Sequence, residues 1–210
     1  MDHKELRQRV LFFTGAGISA PSGIPTFAEQ EGIREKLTRG FANVHPAQYT
    51  KTIREMKHSC DRAEPNAAHL AIAKYDFPVI TMNIDRLHTR AGSRDVLEVH
   101  GVLPTEEELG DPNFAFHYRG IVLYDDMAPR YVSAYDMVCD LKPYDSYFVI
   151  VGTSFYTSIS CQLRSAALAR HSNVLVINHD AQIIVPQVCQ SLDKWLRTGI
   201  PPACLQNLCI

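Results

Sequence analysis

The amino-acid sequence predicts an α/β fold in which a doubly wound parallel sheet carries a small helical second lobe. Four short apolar runs have the length, the β-branched or aromatic content and the terminal Gly, Asn or Thr of buried strands. These runs are Val10–Phe13, Val79–Thr81, Tyr147–Val151 and Val174–Ile177. Segments with helical spacing lie between them, such as Ala67–Lys74 and Cys161–Arg170. Strands that alternate with helices favour a parallel sheet with helices on both faces.

Length and composition restrict the class of protein. The 210 residues predict a single domain spanning 1–210, because domains commonly hold roughly 150 residues. With 46% apolar and 21% charged residues, the chain has the composition of a globular protein with a substantial core. The 21 basic and 23 acidic residues leave a net charge of -2, so no overall attraction to nucleic acid or anionic lipid is expected.

The cysteines and the apolar runs bear on metal binding and location. None of the six cysteines stands in a C-x-x-C pair, so a zinc ribbon and a thioredoxin-type site are both unsupported. The first residues lack the apolar region of a signal peptide, and no run approaches the roughly 20 apolar residues of a membrane span. We therefore expect a cytoplasmic protein with reduced thiols and no membrane partner.

Two stretches interrupt the alternation of strands and helices. Glu29–Glu64 is polar and mostly helical in pattern, and we interpret it as a small lobe inserted after the first strand. Val102–Gly120 contains proline, glycine and the acidic trio Glu106–Glu108, and we interpret it as an irregular excursion. The tail after Trp195 is expected to be a loose end.

A glycine-rich segment follows the first strand directly. It is Gly15-Ala16-Gly17-Ile18-Ser19-Ala20, a strand followed by G-x-G-x-x-A. Glycines at such a turn let backbone N–H groups approach a pyrophosphate at the start of the next helix. A purely structural tight turn is the alternative. A second Gly/Pro-rich segment, Ser22–Phe27, favours the binding interpretation because it would fold over whatever the first turn holds.

Polar residues also follow the next two strand candidates. Asn83 and Asp85 stand just past the second apolar run, and a further candidate, Val96–Val99, leads into His100. A histidine at a strand end is suited to act as a general base near neutral pH. The alternatives are helix capping for Asn83 and Asp85 and a structural hydrogen bond for His100.

The last two strands end in small polar residues. Gly152, Thr153 and Ser154 follow one strand, and Asn178 follows the other. Ligands of doubly wound sheets bind beyond the carboxyl ends of the strands, so the polar residues at all these strand ends are expected to meet in one crevice. The other histidines singled out are interpreted as structural: His45, His58, His69, His88, His117, His171 and His179.

Taken in order, these segments resemble the sirtuins, which are NAD-dependent protein deacylases. The resemblance spans Val10 to Asn178 and implies a Rossmann-like domain with a smaller lobe. The segments that carry it are GAGISAPSGIPTF (15–27), PNAAHLA (65–71), TMNIDRLHTRAG (81–92), VHG (99–101), VGTS (151–154) and VIN (176–178). A more divergent segment, Arg119–Asp126, is similar to a family strand of pattern R-P-x-V-V-x-F-G-E.

The resemblance implies a set of residues that bind NAD as co-substrate. They are Gly15, Ala16, Gly17, Ser19, Ile24, Pro25, Phe27, Asn83, Ile84, Asp85, Gly152, Thr153, Ser154 and Asn178. The first four would line the pyrophosphate and ribose, the next three would belong to a loop over nicotinamide, and the last four would hold the adenosine end. Asn83 and Asp85 would order the ribose and recognise the carboxamide. His100 and Asn83 are the implied catalytic residues, with His100 as the general base that activates a ribose hydroxyl after nicotinamide has left.

The chain departs from the family pattern at two positions and in one longer stretch. Ala28 stands where the family has arginine, and Met82 stands where it usually has glutamine. The stretch Val102–Arg119 contains no cysteine, whereas most members carry four zinc-binding cysteines there, so no zinc is expected.

The resemblance implies removal of an acyl group from lysine, with nicotinamide and O-acyl-ADP-ribose as products. The partner would be an acyl-lysine protein or peptide that adds as a strand between Tyr124–Asp126 and Phe155–Thr157. Two alternatives remain open. One is NAD hydrolysis or ADP-ribosyl transfer in the same pocket, which the missing arginine at Ala28 favours, and the other is a non-catalytic sensor of NAD or ADP-ribose.

Overall fold

The computed structural model describes residues 2–26, 29–202 and 205. Within these residues five parallel strands form one sheet, in the order β3-β2-β1-β4-β5. The strands are β1 Val10–Thr14, β2 Val79–Thr81, β3 Val96–Glu98, β4 Tyr147–Val151 and β5 Asn173–Ile177. The predicted α/β class and every predicted strand are confirmed, with bounds that differ by one residue at most.

The strand order creates a switch point at the centre of the sheet. From β1 the chain builds outward through β2 and β3 on one side and then returns to build β4 and β5 on the other. In register, Phe12 of β1 pairs with Val79 of β2 on one edge and with Val149 of β4 on the other. The loops after β1 and β4 therefore leave the sheet side by side, which is where ligands of such sheets bind.

Helices cover both faces of the sheet, and further short helices belong to the inserted stretches. The helices are α1 His3–Arg9, α2 Ile33–Lys36, α3 Arg39–Val44, α4 Pro46–Arg62, α5 Ala67–Lys74, α6 Leu87–Arg90, α7 Glu106–Leu109, α8 Phe114–His117, α9 Arg130–Cys139, α10 Ser158–Ala169 and α11 Ala181–Thr198. Two 3-10 turns, Ala16–Ile18 and Ala20–Ser22, follow β1. Helix α5 has the predicted bounds, and α10 begins three residues before the predicted Cys161.

Side chains of β1 alternate between two apolar clusters, because successive residues of a strand point to opposite faces. Phe12 packs in a cluster with residues of α5 and α11, and Leu11 and Phe13 pack in a second cluster with residues of α9 and α10. All five residues of β1 are buried, as expected for a parallel strand covered on both faces.

The two interrupting stretches pack against each other in a third apolar cluster. Tyr49 of α4 stacks on Phe114 of α8, with ring centroids 6.1 Å apart. The prediction that 102–120 is irregular is wrong in part, since the stretch contains α7 and α8. Thr105 and Glu108 form a capping box at the start of α7, which stabilises a helix too short to show apolar periodicity.

The C-terminal tail also differs from expectation. Helix α11 continues to Thr198, so the expected loose end after Trp195 is wrong for the next three residues. Buried side chains at Val188, Leu192 and Trp195 are spaced at helical intervals and hold α11 on the sheet. None of the described helices combines the length and the apolarity that a membrane crossing requires.

Candidate functional site

A cavity of about 770 Å³ opens at the carboxyl ends of the strands. The sequence-predicted residues that line it come from the ends of β1, β2, β3, β4 and β5. They are Gly15, Ala16, Gly17, Asn83, Ile84, His100, Gly152, Thr153, Ser154 and Asn178. The crevice expected at the switch point is therefore present, and it brings together residues that are distant in sequence.

A smaller cavity of about 130 Å³ adjoins the first. Ser19, Asp85, Ile24 and Pro25 line it. The two cavities share Ala16, Asn83 and Ile84 in their walls. Every described residue of the expected NAD-binding set thus lines one cavity or the other, and Phe27 lies outside the described residues, as does Ala28.

Two glycines bring the ends of β1 and β4 into contact. The Gly17 N–H donates to the Gly152 carbonyl at 2.8 Å. A Cβ on Gly17 would stand 2.7 Å from the Gly152 Cα, and a Cβ on Gly152 would stand 2.3 Å from the Ile18 nitrogen. Gly152 also has a φ of +65°, in the left-handed region that glycine adopts without steric cost. The wall of the larger cavity is therefore backbone without side chains where Gly17 meets Gly152.

Ser19, Asn83 and Asp85 form a buried hydrogen-bond network. The Ser19 hydroxyl donates to an Asp85 carboxylate oxygen at 2.7 Å, and the Asn83 amide donates to the Ser19 hydroxyl and to the Gly15 carbonyl, each at 3.1 Å. Burial raises the pKa of Asp85, while hydrogen bonds from the Leu87 N–H and from Ser19 oppose that shift. Asp85 also accepts a hydrogen bond from the Leu87 N–H at 2.9 Å. The N-cap of α6 is Arg86, however, and no side chain caps that helix, so the capping alternative is not borne out.

His100 is held by a hydrogen bond at each ring nitrogen. Nδ1 lies 3.0 Å from the Met82 carbonyl, and Nε2 lies 2.7 Å from the hydroxyl of Tyr131. A carbonyl only accepts, so Nδ1 carries the proton of the neutral ring and Nε2 carries the lone pair. Burial lowers the pKa of His100, which favours the neutral ring near pH 7. Met82 supplies this contact from its backbone, so the departure from glutamine leaves the contact in place.

Asn178 joins the ends of β4 and β5. Its side-chain carbonyl accepts a hydrogen bond from the Thr153 N–H at 3.0 Å. This bond orders the segment Gly152–Ser154 at the far end of the larger cavity. His179, interpreted from sequence as structural, also lines that cavity.

Several cavity residues escaped the sequence analysis. Tyr131 lies in the first turn of α9, and Arg34 lies in the four-residue helix α2. The Arg34 guanidinium stacks on Tyr156 at 4.2 Å. It also lies near Tyr124, where it lowers the pKa of that phenol against the larger raising effect of burial. No motif surrounds these positions, and only the tertiary packing brings them to the cavity. Tyr124 and Tyr156 belong to the two segments expected to flank a peptide, and both line the cavity.

Among residues 2–26, 29–202 and 205, no group of three or more His, Cys, Asp or Glu side chains is arranged to hold a metal ion.

Comparison with protein families and curated proteins gives consistent matches. The model of the Sir2 family matches residues 15–107. A protein of Listeria monocytogenes named NAD-dependent protein deacetylase is 32% identical over 214 residues, which cover 89% of this chain and 91% of that protein. A Thermotoga maritima protein of the same name is 43% identical over 98 residues, 42% of this chain. An Archaeoglobus fulgidus protein named NAD-dependent protein deacylase 2 is 46% identical over 106 residues, 45% of this chain. The last two matches span only 40% and 41% of those relatives' own length.

Solved structures share the fold. A structure described as a Sir2 homologue in complex with NAD has a TM-score of 0.75 at 22% identity and covers 93% of this chain and 95% of its own. A second structure, from work on the mechanism and regulation of Sir2 enzymes, has a TM-score of 0.73 at 26% identity and covers 91% of this chain and 96% of its own.

Proposed function

This chain belongs to the Sir2 family, and from that premise we propose that it is an NAD-dependent protein lysine deacylase, which releases nicotinamide and forms O-acyl-ADP-ribose. One observation supports the proposal above the others. Every described residue of the expected cofactor set lines one of two adjoining cavities, and His100 lines the larger one.

The dimensions and chemistry of the cavities fit NAD. Ligand pockets commonly measure about 300–1,000 Å³, and the larger cavity measures about 770 Å³. Gly15 and Gly17 carry no Cβ, so a pyrophosphate can approach the backbone of this segment closely. NAD supplies the bond between nicotinamide and ribose that is cleaved and the ribose hydroxyl that accepts the acyl group.

Asn83 and Asp85 are assigned to binding the nicotinamide half. Both project from the segment after β2 into the smaller cavity, whose remaining lining includes Ile24 and Pro25. The Ser19 and Leu87 hydrogen bonds fix the Asp85 carboxylate, so it is oriented before a carboxamide arrives. Such preorganisation lowers the cost of ordering the site.

His100 is assigned as the general base. Its Nδ1–H donates to the Met82 carbonyl, which fixes the tautomer and leaves Nε2 to accept a proton. Because burial lowers its pKa, the ring is neutral and ready to accept a proton near pH 7.

Further parts of the proposal concern partners, organisation and location. The partner is an acyl-lysine peptide bound between Tyr124–Asp126 and Phe155–Thr157, and residues 1–210 act as one catalytic domain in which 29–64 and 102–120 form the small lobe. We also propose a cytoplasmic location, supported by the free thiols of the four described cysteines.

The enzyme is further proposed to need no structural zinc. Tetrahedral zinc sites need four clustered ligands, and residues 102–119 contain no cysteine. Elemental analysis of the purified protein should find far less than one zinc per chain, and dialysis against a chelator should leave the melting temperature unchanged. Stoichiometric zinc that survives the chelator would contradict this part of the proposal.

NAD hydrolysis or ADP-ribosyl transfer is the second candidate, and one contact favours it. Arg34 stacks on Tyr156 and lies near Tyr124, and these tyrosines belong to the two segments expected to flank a peptide. A peptide strand has to displace this contact, whereas water does not.

Mass spectrometry of the products decides between the candidates. The protein is incubated with NAD and acyl-lysine peptides, and nicotinamide, ADP-ribose and O-acyl-ADP-ribose are measured. If the protein is a deacylase, O-acyl-ADP-ribose and deacylated peptide should form in equal amounts. His100→Ala should then lower the rate of product formation by about 10²-fold and leave the melting temperature unchanged. ADP-ribose alone supports hydrolysis, and NAD binding without any product supports a sensor.

A further inference from the structure

The lone pair of His100 is occupied by a neighbouring tyrosine. Because the Met82 carbonyl holds the Nδ1 proton, Nε2 is an acceptor, and the Tyr131 hydroxyl at 2.7 Å must donate to it. Burial raises the pKa of Tyr131, so the phenol keeps its proton at neutral pH. Both side chains line the larger cavity.

Packing holds Tyr131 in this position. Its ring packs against the apolar cluster between the sheet and the helices α9 and α10, and its centroid lies 5.7 Å from that of His100. A substrate hydroxyl that reached Nε2 directly would have to displace this ring from its packing. Proton transfer to His100 through the Tyr131 hydroxyl needs no such movement.

We propose that Tyr131 is a proton relay between the substrate hydroxyl and His100. The inference rests on the proposed deacylase function and adds a residue to its acid–base step. In that step the substrate O–H bond breaks and its proton binds the Tyr131 oxygen. The Tyr131 O–H bond breaks at the same time, and its proton binds Nε2 of His100.

The step is balanced at each atom. Tyr131 ends neutral, with a new proton in place of the old one, and His100 becomes an imidazolium. The electron pair of the broken O–H bond forms the new bond from the substrate oxygen to the acyl carbon. The π bond of that carbon breaks, and its electron pair moves to the atom that was doubly bonded to the carbon. Because the two transfers occur together, Tyr131 never has to ionise, and its raised pKa does not obstruct the reaction.

Three variants test the relay. Tyr131→Phe keeps the ring and removes the hydroxyl, while Tyr131→Ala leaves room for a water molecule that can relay in its place. Tyr135→Phe is the matched control, since Tyr135 lies one turn along α9, is 47% exposed and does not line either cavity. Melting temperatures of all three are compared with that of the unaltered protein.

Two rates separate the relay from other roles. O-acyl-ADP-ribose formation needs the base, whereas exchange of labelled nicotinamide into NAD in the presence of acyl peptide precedes it. We expect Tyr131→Phe to lower kcat for product formation by about tenfold or more, with the KM for NAD and the exchange rate unchanged. The kcat of Tyr131→Ala should lie between that of Tyr131→Phe and that of the unaltered protein. The kcat of Tyr135→Phe should equal that of the unaltered protein.

A double variant shows whether Tyr131 acts through His100. His100→Ala with Tyr131→Phe should lose no more activity than His100→Ala alone, because the two residues then belong to one pathway. If the loss of activity in the double variant equalled the product of the two single losses, the relay would be overturned. An unchanged kcat in Tyr131→Phe would also overturn it. A Tyr131→Ala rate above that of the unaltered protein would show instead that the ring obstructs the cleft.

Failure of the relay differs from failure of the proposed function. If the unaltered protein catalyses neither nicotinamide exchange nor product formation, the deacylase proposal and the relay fall together. If it catalyses both and Tyr131→Phe matches it, only the relay is overturned.

Discussion

The hydroxyl of Ser19 donates a 2.7 Å hydrogen bond to the carboxylate of Asp85, although 66 positions separate the two residues in the chain. The bond joins the loop after β1 to the segment after β2. Asn83 extends it by donating to the same hydroxyl at 3.1 Å. Because the Asp85 carboxylate is buried, its ionisation affects both ligand binding and stability.

Replacing Asp85 separates these two effects. Asp85→Asn should lower the rate of nicotinamide release by about tenfold or more, since a hydrogen bond to a charged group contributes about 1.5–3 kcal/mol. Burial raises the pKa of Asp85 in the folded protein above its ordinary value of 3.8. As the pH rises above 3.8, Asp85 ionises more readily in the unfolded chain than in the folded protein, so the free energy of unfolding decreases. The variant should therefore gain stability relative to the unaltered protein as pH rises. Urea unfolding at several pH values measures the difference.

Asp61→Asn provides the control. Asp61 is exposed, pairs with Lys57 on α4 and lines neither cavity. Its replacement should change neither nicotinamide release nor the pH dependence of unfolding. If Asp85→Asn behaved like this control, Asp85 would have no part in binding.

Two buried histidines beneath the site should make the fold sensitive to acid. The rings of His69 and His88 lie edge to face with centroids 4.8 Å apart. Burial lowers the pKa of His69 from 6.5 to about 4 and also lowers the pKa of His88. A lowered folded pKa means that the unfolded chain binds protons first, so stability is complete above pH 6.5 and declines as pH falls. Melting temperatures between pH 7.5 and pH 5 should fall accordingly.

Substitution identifies the source of this acid sensitivity. His69→Gln should reduce the slope of melting temperature against pH, because Gln does not titrate. His58→Gln, at an exposed position of α4, should leave the slope as it is. An unchanged slope in His69→Gln would assign the acid sensitivity to other groups.

The contact between Gly17 and Gly152 should tolerate no side chain. Gly152→Ala combines a positive φ with a Cβ only 2.3 Å from the Ile18 nitrogen. Gly199→Ala, at the end of α11, has a φ of +71° but no atom within 4 Å of its Cβ. We expect Gly199→Ala to lower the free energy of unfolding by about 1–2 kcal/mol and Gly152→Ala to lower it further and weaken NAD binding. Urea titrations measure the free energy of unfolding of both variants. Equal losses in Gly152→Ala and Gly199→Ala would show that only the positive φ, and not the close approach at Gly152, disfavours a side chain.

The sequence predicted those parts of the molecule in which local pattern and tertiary structure agree. Val10–Phe13 is a continuous apolar run that is buried on both faces, so its strand could be recognised in isolation. Residues at strand ends, such as His100, could be placed together because all strands of a parallel sheet end at one edge. Helix α11 was not predicted, because Pro186 stands inside it and interrupts the pattern.

The unpredicted site residues depend on packing between distant segments. Tyr131 reaches His100 from α9, 31 positions along the chain, and no residue near it signals that contact. Arg34 likewise reaches Tyr156 from α2, a four-residue helix too short for its faces to be assigned from the sequence. Contacts of this kind follow from the fold, so no local sequence pattern indicates them.

The contact of Arg34 with Tyr156 and Tyr124 leads to a prediction about substrate entry. A cation stacked on an accessible aromatic ring gains about 0.5–1 kcal/mol, and the stacking distance here is 4.2 Å. A peptide strand that enters between the two tyrosines must break this contact first. Arg34→Met keeps an apolar stem of similar length and removes the guanidinium, so the KM for an acyl-lysine peptide should fall by about threefold to fivefold, with kcat and the KM for NAD unchanged.

The direction of the change in KM decides what Arg34 does. Arg62→Met, at the exposed end of α4, is the control for the loss of one positive charge and should change no kinetic parameter. If Arg34→Met raised the KM for the peptide, the guanidinium would contribute to peptide binding instead of blocking entry. If it raised the KM for NAD, Arg34 would supply the cofactor contact that the family assigns to the arginine absent at position 28. If Arg34 closes the cleft, the KM for the peptide should fall and no other kinetic parameter should change. The reason is that removing such a contact stabilises the open state without altering any group that binds substrate.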